Sequence, residues 1–479
     1  MTSEERSPVS ARNLLLIFFV LAMLLRIAVV MHSPSQYHPD EIFQNTEPAH
    51  RLAFGPSVIS WEWRLGIRSW VFPAFLAAVM RATSWMGPGS SGYLAGIAAV
   101  MSLISLTVVW FGFSWCERAS GRTAAIIAGI GCATWWEFVY FGPKTFSEVL
   151  AAHVLLPGLY LGVYGEKIPW KRRLFFAGMF CGLALALRIQ LAPAAGLAAL
   201  YFCRNDWRRR IPVVAAGMLT PILIFGLVDA ITWQHLFQSF YLYFYVNLIQ
   251  GRSASFGVEP WYWYLPRLAR HLGPLLLLAL VGVRRSPFLG WMALVILAAH
   301  SLVHHKEARF LYPMMPIMVT LGALGMVECA AIVEKWRGKT ISPRILVATG
   351  IIVCLGSSIV LGSRFEDWSR YSGGLQALKE FSHDSTVCGV GISDIFWAET
   401  GGYTYLHRDV PIFLLPDSEA LRRASAEFNV FMSNGSLAEK PAGFEAMGCR
   451  SGNCVYRRPG TCAAPGEFEI NRTLVRKDQ

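Results

Sequence analysis

The sequence predicts an all-α polytopic membrane protein that ends in a small α/β domain outside the membrane. Three observations carry this. Of the 479 residues, 54% are hydrophobic and 15% are charged, and the mean hydropathy is +0.42; soluble proteins carry about 25% charged residues. The apolar residues gather into long runs separated by short polar stretches, the pattern of repeated membrane helices. After about residue 362 the composition changes. CGVGISDIFWAETGGYTYLH and DVPIFLLPD read there as short strands and turns, punctuated by Gly, Asp and Pro.

The first apolar run, 14–31, follows MTSEERSPVSARN. It resembles a secretion signal but lacks a small-x-small cleavage site, and another membrane segment soon follows, so we read it as a retained helix. Further membrane helices are expected at 93–115, 124–141, 147–165, 174–188, 191–203, 211–230, 272–283, 288–303, 310–333 and 344–362, making about eleven. The stretch 174–203 reads as a helix pair broken around Arg188 and Pro193. The apolar segment 70–82, WVFPAFLAAVMRA, is short for a span and ends near Arg81, so it is assigned to the outer membrane surface.

Charge sets the orientation. CERASGR, GEKIPWKRR, CRNDWRRR, VRRS and EKWRGKTISPR all carry Lys or Arg and become inner loops. Counting 70–82 as a span would put them outside. The formal net charge of +12 therefore reads as an orientation signal, and no nucleic-acid partner is expected. The outer segments are then the loop 32–69, GPKTFSE, the Gln234–His271 loop, HHKEAR and the tail. Two domains result, 1–362 in the membrane and 363–479 outside it.

Six of the ten cysteines lie in or beside apolar runs, while Cys388, Cys449, Cys454 and Cys462 lie in the tail. An extracytoplasmic tail allows two disulfides there. Zinc is the alternative, weakened by the absence of a CxxC pair. Asn434-Gly-Ser and Asn471-Arg-Thr match glycosylation acceptors.

Chemistry concentrates in the first outer loop, HPDEIFQNTEPAHRLAFGPSVISWEWRLGIR. Pro39 fixes its own φ and holds His38 extended, so a helix can begin at Asp40. Asp40 and Glu41 then suit the positive end of the helix dipole, which is the structural reading of both. The functional reading makes Asp40 a general base at the membrane surface, where it can deprotonate an attacking hydroxyl. Glu47, two turns on, would share its face and either orient an acceptor or sit solvated. Trp61 and Trp63 offer flat faces to a sugar or anchor the chain at the interface, and Glu62 lies between them. Arg64 and Arg68, outer cations against the general charge bias, are candidates for donor phosphate.

Two more outer clusters follow. SFGVEPWYWYLPRLARH places Trp261, Tyr262 and Trp263 together, for substrate contact or interface anchoring. His304-His305-Lys306-Glu307-Ala308-Arg309-Phe310 begins a long apolar helix. Cations beside the positive end of a helix imply an anion that holds them, so His305, Lys306 and Arg309 are assigned to a lipid phosphate, with a surface Glu307–Arg309 pair as the alternative. No metal is expected, because adjacent His residues on a helix point in different directions. Arg188, in the break of 174–203, is a further candidate for substrate contact facing a cavity.

These motifs together resemble glycosyltransferase family 22, the lumenal mannosyltransferases of N-glycan and GPI-anchor assembly and their bacterial relatives. The resemblance rests on HPDEIFQNTEPAHRLAFG, WEWRLGIRS, SFGVEPWYWY and HKEARFLYPMMP, spread over residues 38–316. It implies a GT-C glycosyltransferase fold with an extracytoplasmic active site. It also implies inverting transfer of a hexose, most often mannose, from a polyprenyl-phosphate donor to a glycan or glycolipid acceptor, without cofactor or metal. Asp40 falls on the presumed base, Lys306 and Arg309 fall on positions that handle donor phosphate, and His305 belongs to the same motif. The expected location is a bacterial inner membrane facing the periplasm, or the ER membrane in a eukaryote. The rival reading is a transporter or flippase of lipid-linked oligosaccharide, which predicts charges deep within several helices.

Overall fold

Each apolar run folds as a helix, because a backbone in lipid must satisfy its own hydrogen bonds. The computed structural model describes residues 10–32, 34–435, 437 and 440–478; the nine N-terminal residues and Ser436 of the first glycosylation triplet lie outside them. The helices are Ala11–His32, Ser91–Ser120, Arg122–Thr134, Ser147–Tyr164, Trp170–Leu187, Ala192–Cys203, Trp207–Thr232, Pro274–Gly282, Pro287–Ser301, Met315–Arg337 and Pro343–Ser363. Among the described residues six helices are long and apolar enough to cross a membrane, or seven if the bent pair Trp261–Leu272 and Pro274–Gly282 forms one span. This is a multi-pass membrane protein. The segment 70–82 is the helix Val71–Thr83, whose 13 residues reach about 20 Å, short of the roughly 30 Å hydrocarbon core.

Backbone chemistry sets the breaks. Pro274, Pro287 and Pro343 open their helices, where the missing N–H would have no partner anyway. The 105° bend of the pair falls at Gly273, with φ 53° and Pro274 behind it. Arg188, extended at φ −147°, ends Trp170–Leu187 before the short turn Ile189–Leu191. The expected helix 124–141 is two helices, divided where Trp135 turns out to ψ 127°.

The chain divides into two compact units, and the division differs from the expected cut at residue 362. One holds Met1–Val29, Met101–Leu227 and Tyr243–Phe365; the other holds Val30–Val100, Val228–Leu242 and Glu366–Gln479. The first outer loop therefore belongs with the tail. Ile42, Phe43 and Val58 lie in one buried apolar cluster with Leu375, Val390, Ile412 and Leu474, so the tail's core is completed by loop residues far away in sequence.

The helical unit packs through small residues. Pro274–Gly282 meets Met315–Arg337 so closely that a Cβ on Gly325 would lie 1.8 Å from the Leu278 carbonyl oxygen, the close approach typical of membrane helices.

In the other unit, strands β1 (Val390–Ser393), β2 (Ile412–Leu415), β3 (Val430–Asn434), β4 (Glu445–Arg450) and β5 (Asn453–Arg457) form one sheet. Its order is β2-β1-β3-β5-β4, with β1 parallel to β2 and β3, and β5 antiparallel to β3 and β4. Every residue of β1 and β2 is buried, as befits parallel strands covered on both faces. The stretch 397–406, expected as strand and turn, is helical at Trp397–Glu399 and Gly402–Leu406. Gly401 and Gly402, both at positive φ, separate the two helical turns, a backbone conformation that glycine adopts without a Cβ penalty. Cys388 bonds Cys462 and Cys449 bonds Cys454, which leaves no thiolates for the zinc alternative.

Candidate active site

In the loop, Pro39 is followed by a helical start at Asp40 and Glu41, a π-helical turn Ile42–Thr46 and the α-helix Glu47–Phe54. Asp40 keeps a quarter of its side chain accessible, and His38 Nδ1 lies 3.3 Å from both its carboxylate and its backbone nitrogen. Glu41 accepts the Tyr37 N–H, just before the helix, at 3.3 Å.

Glu47 does not share the environment of Asp40. The π-turn widens the helix between them and rotates Glu47 off that face. Its carboxylate is fully buried and accepts the N–H groups of Val58 (2.5 Å) and Thr404 (2.5 Å) and the Thr404 hydroxyl (2.8 Å). Burial pushes this carboxyl up to about 7, against the donors, which pull it down. Glu47 supports the loop and is not a solvated acceptor contact.

The next expectations are also revised. Glu62 is buried and accepts from Gln44 (2.7 Å), Ser60 (3.2 Å) and Arg68 (3.0 Å). Burial raises its carboxyl, Arg68 pulls it down, and the nearby Asp40 charge raises it further. Arg68 is thus engaged by Glu62 rather than presented to donor phosphate. Arg64 donates to the carbonyls of Ile59 and Leu474 and ties the loop to the C-terminal helix. Trp63 is no sugar platform: it is buried, with Trp70 at 4.4 Å and Trp233 at 6.2 Å between ring centroids. Trp61 is half-buried. Asn471 donates to the Ser57 carbonyl (3.1 Å) and accepts the Ile59 N–H (2.9 Å), so its amide is held inside the protein rather than offered for glycosylation.

The helical unit holds the second cluster. Residues 304–307 are irregular, and the turn Ala308–Met314 leads into Met315–Arg337. Arg309 is buried; it donates to Glu148 at 2.7 Å and to Glu307 at 2.7 and 2.9 Å. The anion expected to hold this cation is therefore supplied by the protein itself. Arg188, also buried, lies 3.9 Å from Glu148 and 4.8 Å over the Phe310 ring, so it joins the same network. Glu148 was not singled out in the sequence; its only signal was an acid in the first turn of an apolar helix.

His305 sits between Glu307 (3.1 Å) and the Gly257 carbonyl (3.2 Å), and the hydrogen bond to Glu307 raises its imidazole. Lys306 is 6% exposed and donates to the carbonyls of Glu259 (3.0 Å) and Val303. Desolvation pulls its ammonium down. Among the described residues it makes no carboxylate ion pair within 4 Å. Trp261 and Tyr262 are exposed, while Trp263 lies half-buried under the Arg267 guanidinium.

The chain has known counterparts. Residues 16–388 match the Alg9-like mannosyltransferase family. The chain belongs to that family. As an Alg9-like family member it is a glycosyltransferase. It is 26% identical to GPI mannosyltransferase 3 of Yarrowia lipolytica over 423 residues, 83% of this chain and 76% of that protein. GPI mannosyltransferase 3 of Drosophila melanogaster is 27% identical over 363 residues, 72% of this chain and 60% of that protein. GPI alpha-1,2-mannosyltransferase 3 of Mus musculus is 24% identical, covering 71% of this chain and 63% of that protein. Some of these relatives are thus matched over less than two thirds of their length. ArnT from Cupriavidus metallidurans, in a crystal structure bound to undecaprenyl phosphate, aligns at a TM-score of 0.62 and 11% identity, covering 94% of this chain and 99% of ArnT. The fold is GT-C.

Proposed function

We propose that the chain transfers a hexose, mannose by its family, from a polyprenyl-phosphate sugar to a hydroxyl of a glycan or glycolipid at the extracytoplasmic face. The acceptor oxygen attacks the anomeric carbon from the side opposite the phosphate. Its proton passes to Asp40, the bond from the anomeric carbon to the phosphate oxygen breaks, and polyprenyl phosphate leaves with the electron pair. Lys306 stabilises the departing phosphate charge, the step at which electrostatic help matters most. Glu148 and Glu307 hold Arg309, three residues after Lys306, so Arg309 acts as the fixed cation of that cluster.

The observation that carries this reading is the division of labour among the loop's four carboxylates. Glu47 and Glu62 are buried and engaged, Glu41 accepts the Tyr37 N–H, and Asp40 keeps a quarter of its side chain accessible with His38 beside it. Lys306, a nearly buried cation that meets two carbonyls and feels the Glu259 charge but makes no carboxylate ion pair within 4 Å among the described residues, supports an anionic substrate. The relatives named for GPI favour a glycolipid acceptor. The basic loops support the orientation, and the reading needs no metal.

Purified protein in nanodiscs, given radiolabelled polyprenyl-phosphate mannose and candidate glycolipids, is expected to make a larger labelled glycolipid, with EDTA having no effect. Polyprenyl-phosphate arabinose and glucose serve as competitors for donor identity. Asp40→Asn should abolish transfer. Full transfer by that variant would remove Asp40 as base, and movement of a lipid-linked oligosaccharide with no new glycosidic bond would favour the transporter.

A further inference from the structure

Residues 402–407, Gly-Tyr-Thr-Tyr-Leu-His, take no part in the reaction above, yet they meet the loop that bears Asp40 through buried polar groups. One carboxylate oxygen of Glu47 accepts both the backbone N–H and the hydroxyl of Thr404, and the other accepts the Val58 N–H. Gly402 lies flat against this carboxylate; a Cβ there would come within 2.8 Å of it. On the far side the Thr404 carbonyl accepts the Tyr93 hydroxyl at 2.5 Å. One turn on, His50 Nε2 meets His407 Nδ1 at 3.0 Å. Phe43, inside the π-turn, packs edge-on to Trp397 at 4.6 Å between centroids.

Packing alone does not require this chemistry. A carboxylate without solvent is costly to bury, and an apolar side chain of similar volume would fill the space at lower cost. What the carboxylate adds is direction: three donors fix both of its oxygens. Glu47 also stands immediately after the π-turn Ile42–Thr46, and Asp40 stands two residues before it. A π-turn is a local departure from helical register. Pinning its C-terminal end fixes how far the turn is wound, and hence where Asp40 points.

We propose that the helical turn Gly402–Leu406 of the C-terminal domain is a positioning element for sugar transfer, with Glu47 and Thr404 as positioning residues that hold the π-turn and aim the Asp40 carboxylate. This rests on the assignment of Asp40 as base. It gives the tail a role in the chemical step rather than only in binding or stability.

The test uses full-length protein in nanodiscs with polyprenyl-phosphate mannose and a glycolipid acceptor. Thr404→Val removes the hydroxyl donor and keeps the shape, and Thr404→Ser keeps the donor. The expected result for Thr404→Val is a kcat roughly 10- to 100-fold lower per folded molecule, with the donor KM within about twofold, since small misplacement of a base is felt in the transition state. Thr404→Ser should restore most of the rate. Tyr93→Phe, which frees the Thr404 carbonyl and serves if Thr404→Val folds poorly, should show the same split with a loss of about threefold. The proposal is overturned if the folded variants keep full kcat, if KM alone rises, or if Thr404→Ser is as slow as Thr404→Val. Asp40→Asn runs alongside. Transfer by Asp40→Asn removes the base, whereas a dead Asp40→Asn with a fully active Thr404→Val leaves the base in place and removes the positioning role.

Discussion

The Glu148→Gln variant probes the buried ion network of the helical unit. Glu148 and Glu307 oppose Arg309 and Arg188, two charges of each sign, and the side chains of Glu148 and Arg309 are 2% and 1% exposed. Glutamine keeps the shape and an acceptor but leaves one positive charge uncompensated. At an effective dielectric of about 20, unit charges about 4 Å apart interact by about 4 kcal/mol, and removing one partner of a buried pair costs about 3–5 kcal/mol. The Glu307 bonds to Arg309 remain, so the lower half of that range applies, and the apparent melting temperature should fall by roughly 5–10 °C. A thiol-reactive dye reads this directly, because Cys116, Cys132, Cys181, Cys203 and Cys354 are free and buried until the helices open. Glu148→Gln with Arg188→Met restores the charge balance and should recover at least half of the loss. A single variant that melts within about 1 °C of the parent, or a double variant as unstable as the sum of the singles, would refute the coupled network.

Three further outcomes are expected. Glu47 binds its proton more tightly folded (about 7) than unfolded (4.5), so its contribution is fully present below about pH 4.5 and is lost as pH rises through about 7; Glu47→Gln should flatten the melting-temperature profile over that window by up to about 3 kcal/mol of equivalent stability, and parallel profiles would contradict this. Gly325→Ala should sharply reduce monodisperse protein on size exclusion, because the methyl meets the Leu278 carbonyl, whereas Gly356→Ala, with nothing within 4 Å, should behave as the parent. Cys388→Ser opens a loop of 74 residues and should destabilise the tail by about 4 kcal/mol, against about 2 kcal/mol for Cys449→Ser, whose partner is five residues away; protease resistance of the tail reports both, and equal losses would argue against the loop-entropy account.

The bend at Gly273-Pro274 and the division at Trp135 came from the structure, whereas the sequence by itself determined most of the helices, the break at Arg188, the change of composition near residue 362 and the loop from His38 to Arg68 that carries the candidate base. These are local properties: insertion follows the apolarity of a run, and breaks follow Pro, Gly and polar residues within it. The tertiary structure alone decided which charges are locked into the fold. Glu47 and Asp40 are both loop acids seven residues apart, and they differ because Thr404, some 350 residues downstream, closes over one of them. Arg309 reads in the sequence as a phosphate grip, whereas in the fold Glu148, distant in the chain, lies against it. Burial and ion pairing depend on which segments meet, and in low dielectric they decide whether a charge supports the fold or remains available for chemistry.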